Sequence, residues 1–156
     1  MHQFLIALPP ERFAALYQSL EPEVARVLDG VIARMLNSRV SSVGRTPVAM
    51  RVKALRAWIV RERDDAVAGD LLAAYFLGPR KALVTGFLDA TGVEHEDGRV
   101  DGDGKPDAGK LDDAVAALLA EHDREDVRLY LQVAAQQWPD VPELKAAAEG
   151  VAPAPA

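Results

Sequence analysis

The chain has 156 residues, 49% of them apolar, which is enough to bury a core without a structural metal and too apolar for a wholly disordered chain. It has no cysteine, so disulfides, thiol nucleophiles and thiolate metal sites are excluded together. The formal charge of −6 is unevenly spread: residues 1–93 hold 12 basic and 9 acidic side chains, residues 94–156 hold 6 and 15.

The first residues, MHQFLIALPPER, have no basic start, and FLIAL is too short for a signal segment. No run approaches the length of a membrane span, and the expectation is a soluble cytoplasmic protein. PPERFAALYQSL opens a helix on proline. A second helix follows Pro22, with Val27, Leu28, Val31, Ile32 and Met35 on the face of Val24 and Arg26, Asp29, Gly30 and Ala33 opposite. NSRVSSVGR reads as a polar connector over residues 37–46. Thr46 is placed to cap the next helix, with Pro47 at its first position and Val48, Val52, Leu55 and Ile59 as its core stripe.

Asp64 or Asp65 is placed to cap AVAGDLLAAYFL, and Gly78-Pro79 to break it. PRKALVTGFLDATG pairs Leu83 with Phe87 and Val84 with Leu88 and stops at Gly92. Leu111, Val115, Leu118, Leu119 and His122 share a face of a following helix, and Val127, Tyr130, Leu131, Ala134 and Trp138 share a face of the one after. A short helix from Pro142 to Glu149 closes at Gly150. These elements predict an all-α, compact bundle of about seven or eight short amphipathic helices. The expected single domain covers residues 1–150, basic-leaning to 93 and acidic beyond, and residues 151–156 form a disordered Pro/Ala tail.

The acidic Gly/Asp-rich loop 93–108 contains HEDGRVDGDGKPD, with five acidic residues, one histidine and three glycines. Its Asp97-Gly98 step is a turn signal flanked by Val93 and Val100, consistent with a tiny β-ribbon. A calcium loop begun at Asp101 has Asp103 at position 3, but Lys105 stands at a ligand position and Pro106 where glycine is required. The loop therefore reads as a mobile linker in which Asp107 caps the next helix. The candidate metal ligands are His95, Asp97, Asp101, Asp103, His122 and Asp123. The His122-Asp123 pair resembles the dyad of all-helical HD-type phosphohydrolases, a family that also needs an upstream helical histidine and a downstream aspartate.

Arg34 to Arg63 holds eight basic residues and one acidic, and its candidate nucleic-acid contacts are Arg45, Arg51, Lys53, Arg56 and Arg63. On a helix from Val48 these charges surround the axis rather than forming one reading face. No nucleophile elbow, phosphate loop or HExxH is present.

YFLGPRKALVTGFLDATGVEHEDGRV, followed by VRLYLQVAAQQW, resembles a pattern of uncharacterised all-helical bacterial proteins with an FLD-TG helix end and an HEDG turn, over Leu71 to Trp138. The resemblance implies that the acidic turn is a family feature and carries no activity. The expected function is a non-enzymatic protein–protein interaction or regulatory module without a cofactor, whose partner is another protein or a second copy. The alternatives are a metal-dependent phosphohydrolase using His95, Asp97, His122 and Asp123, and nucleic-acid binding through residues 45–63.

Overall fold

The computed structural model describes residues 1–151, and among them the protein is all-α, with eleven α-helical segments and two 3-10 turns. The segments beyond the expected helices are short pieces such as α1 (His2–Ala7), α3 (Pro22–Ala25) and α5 (Val40–Val43). None of the helices is long and apolar enough to cross a membrane. The chain divides into two compact units, Met1–Pro79 and from Arg80 onward. This division falls at the Gly78-Pro79 break, upstream of the charge boundary at residue 93.

In the first unit α2 (Pro10–Gln18) carries proline at its first position, where no amide donor is needed. The expected second helix is interrupted. α3 gives way to a 3-10 turn at Arg26–Leu28 before α4 (Asp29–Met35). The tighter turn shifts the helical phase. Val24 and Val27 are therefore exposed, at 37% and 67%, and Ala33 is buried instead. α4 ends on Asn37 in the left-handed conformation, with Ser38 N–H bonded to Ala33 C=O at 2.9 Å. α6 (Val48–Glu62) packs on α1, α2 and α4 and buries Val52, Leu55 and Ile59. Thr46 does not cap it; its hydroxyl turns back to Ser42 C=O at 3.4 Å, and Pro47 occupies the cap position. Asp64 does cap α7 (Asp65–Leu77), accepting from Ala66 and Val67 N–H at 3.1 and 3.0 Å. Gly78 is required by space, since a Cβ there would lie 2.7 Å from Ala74 C=O.

In the second unit α8 (Lys81–Thr91), α9 (Leu111–Glu121), α10 (Arg124–Gln137) and α11 (Glu143–Gly150) pack around Leu83, Phe87, Leu131 and Leu144. Phe87 and Tyr130 meet edge to face with centroids 5.2 Å apart. α8 ends in a Schellman arrangement: Gly92 has φ 76°, and Val93 N–H bonds to Leu88 C=O at 2.9 Å. Val151, placed in the tail by its sequence, is buried and is the C-cap of α11. The rest of the expected disordered tail lies outside the described residues.

Candidate functional site

The acidic loop is built as two successive clamps. In the first, Glu96 and Arg99 exchange backbone hydrogen bonds of 2.8 and 2.9 Å around Asp97-Gly98. Asp97 and Gly98 both have positive φ, 56° and 88°, the geometry of a tight hairpin turn. This isolated bridge is all that forms of the expected ribbon. His95 spans the turn: its Nδ1 accepts from Gly98 N–H at 3.2 Å, and its Nε2 lies 3.2 Å from Asp89 Oδ1. With Nδ1 accepting, Nε2 is the nitrogen left to donate to Asp89, and both ring nitrogens are engaged. Asp97 reaches Lys81 Nζ at 2.7 Å, and that hydrogen bond and charge hold its carboxyl below the usual range. The first clamp therefore ties the turn to α8.

The second clamp corrects the expectation of a mobile linker. Gly104 C=O accepts from Trp138 Nε1 at 2.8 Å, Lys105 pairs with Asp140 at 3.0 Å, and Pro106 is buried. Asp107 N–H donates to Thr91 C=O at 3.1 Å, and its side chain accepts from Gly109 N–H at 2.9 Å. Lys105 and Pro106, the two residues that spoil a calcium loop, are among those that dock the segment. The lysine also holds the Asp140 carboxyl below its ordinary value.

The metal candidates do not converge: among the described residues no group of three or more His, Asp or Glu side chains is arranged to hold an ion. His95 and Asp97 are engaged within the turn. Asp101 and Asp103 are exposed. His122 stands beyond the end of α9 in extended conformation. Asp123 caps α10 through Glu125 and Asp126 N–H at 3.0 and 3.3 Å.

The basic candidates separate into two groups. Arg51 lies over the Tyr17 ring, 6.0 Å from its centroid, and Arg56 donates to Leu8 C=O at 3.0 Å. Both are half-buried and occupied inside the unit, whereas Arg45, Lys53 and Arg63 are exposed. The ring contact of Arg51 and the carbonyl bond of Arg56 explain cations on a core-facing arc. Burial also pushes the Tyr17 hydroxyl up, with Arg51 opposing.

Two features have no counterpart in the sequence reading. The first is the ion pair of Arg80 Nε with Asp126 Oδ2 at 2.6 Å, in which the aspartate is 2% exposed. Its only sequence signal is an acid three residues after the Asp123 cap, which is ordinary for a first helical turn. The second is the outward face of α6. Ala49, Lys53, Ala57 and Val60 follow helical spacing, with Met50 beside them. All five are exposed, Met50 at 51% and Val60 at 49%. The sole acid of α6, Glu62, is paired with Arg61 at 2.6 Å. The face is thus an apolar stripe with a lysine in its middle and no free acid along it. Comparison with protein-family models, curated proteins and solved structures found no match to this chain.

Proposed function

We propose that this protein is a non-enzymatic protein–protein interaction module and that the outward face of α6 is its contact surface. The carrying observation is the apolar stripe Ala49, Met50, Ala57 and Val60, left in water on the helix whose opposite face holds the core of its unit. Exposed valines occur singly on most proteins, but a face repeating over three turns of one helix is the pattern of a helix-docking surface. Of the groups that looked catalytic, His95, Asp97 and Asp123 are engaged in a turn, an ion pair and a cap, and His122 does not join them in a cluster. That engagement supports a binding role over the phosphohydrolase reading, and the inward use of Arg51 and Arg56 supports it over nucleic-acid binding.

The test compares the native chain with a Met50→Asp/Val60→Asp variant of equal helicity and melting temperature. Crosslinking in the source cell should give a defined adduct with the native chain that the variant loses. Equal adducts from both chains, or salt-sensitive capture of nucleic acid by both, would overturn the reading.

A further inference from the structure

We propose that the α6 face takes, as its partner, the outward face of α9 in a second copy of this chain. The inference rests on the interaction reading above and gives it a partner. On α9 the exposed residues are Asp112, Asp113, Ala116, Ala117, Ala120 and Glu121. The three alanines lie on one arc of the helix, with carboxylates at both ends. The α6 face is its electrostatic opposite: alanine, methionine and valine around Lys53, with exposed Arg45 and Arg63 before and after the helix. Each stripe runs for roughly 14–17 Å at the α-helical rise, so the two are matched in length. Alanines on both faces let the axes approach to the roughly 8 Å of close helix packing, with Met50 and Val60 filling the outer turns.

Charge selects this pairing over the simplest alternative. Two α6 faces brought together would set Lys53, Arg45 and Arg63 against their own copies, and like charges across a contact are disfavoured. The units carry the same bias: residues 1–79 hold 10 basic and 8 acidic side chains, and residues 80–156 hold 8 and 16. A membrane surface fits less well, because interfacial helices present leucine and aromatic side chains and this stripe is alanine, methionine and valine. The two faces in contact differ. When each copy uses both faces they form a two-fold dimer, and when each uses one face per neighbour the contact is head-to-tail and extends as a chain. One helix pair buries far less than a standard interface, so association is weak and screened by salt.

Sedimentation of the full chain over rising concentration tests this. The native chain should self-associate at low salt, and its association constant should fall at least about tenfold when salt is raised to about 0.5 M. Lys53→Glu/Arg63→Glu on α6 and Asp113→Lys/Glu121→Lys on α9 should each lose association by about tenfold or more, each alone setting like charges together. Mixing the two variants should restore it, since each then offers a complementary face to the other. Should a charge variant fail to fold, Met50→Ser/Val60→Ser provides the same loss without charge reversal. A native chain that stays monomeric at every concentration overturns the proposal, as do variants that associate like the native chain or a mixture that stays apart. A monomer that still loses its cellular adduct on Met50→Asp/Val60→Asp keeps the interaction reading and removes only the self-partner.

Discussion

His95–Asp107 and Ala49–Val60 invite opposite readings and turn out the other way round. The first is dense in acids, glycines and a histidine, and four of its eight charged or histidine side chains serve its own folding: His95 on Gly98 and Asp89, Asp97 on Lys81, Lys105 on Asp140, Asp107 on Gly109. The second is a plain run of alanine, valine and methionine with scattered cations, and it leaves an apolar face in water. Polar density marks where backbone turns must be satisfied as readily as where chemistry occurs. An apolar residue at an outward helical position has no such internal duty.

The largest expected effect tests how much the second unit depends on a polar pair hidden from its sequence. Asp126→Ala should cost about 2 kcal/mol, because it removes a charge-assisted hydrogen bond whose acceptor is buried. Arg80→Met/Asp126→Leu should recover most of that loss, since apolar groups of similar size fill the space of the pair. Chemical denaturation of the three chains measures both, and an Asp126→Ala chain as stable as the native one would make the pair dispensable.

Trp138→Phe keeps the ring and removes the donor to Gly104. A loss of about 1 kcal/mol is expected, with faster amide exchange across residues 101–107. That change would loosen one of the contacts that dock the segment, and unchanged exchange would mean that the others hold it.

Lys81→Ala addresses the first clamp. Asp97 titrates below its ordinary value of 3.8 because Lys81 donates to it, and the substitution should bring its midpoint back toward that value. The sign follows from the lowered folded-state value. The contribution is present above about pH 4, the unfolded carboxylate range, and is lost as pH falls through the folded value. Carboxyl-carbon NMR titration reads it directly. The accompanying stability change should be small, because both partners are exposed and screened by solvent.

The smallest effect belongs to the other region. Met50→Ser/Ala57→Ser should leave the melting curve within about 0.5 kcal/mol of the native chain, because nothing in the unit rests on that face. A loss of several kcal/mol would show the α6 face to be part of a core, and the contrast between the two stretches would fail.

Much of the local architecture was legible. Helical periodicity placed Leu83, Phe87, Val127 and Leu131 in the core, and all are buried. Cap chemistry located Asp107 and narrowed the α7 cap to Asp64 or Asp65, and glycine's tolerance of positive φ located the stop at Gly92. These depend on neighbours within one helical turn, which the order of residues fixes by itself. The interrupted second helix was not legible, because the 3-10 turn at Arg26–Leu28 changes the phase without changing residue types. Nor was the outward face of α6, since a helix with apolar residues on most sides does not declare which side the other helices will cover. The docking of Gly104 on Trp138 and of Arg80 on Asp126 joins residues 34 and 46 positions apart. Sequence alone determined the all-helical character, the aspartate caps of α7 and of the turn before α9, and most of the core faces through local sterics and hydrogen bonding. Tertiary packing decided which polar residues are consumed internally and which apolar ones remain outside, because burial belongs to the assembled helices and not to any one of them.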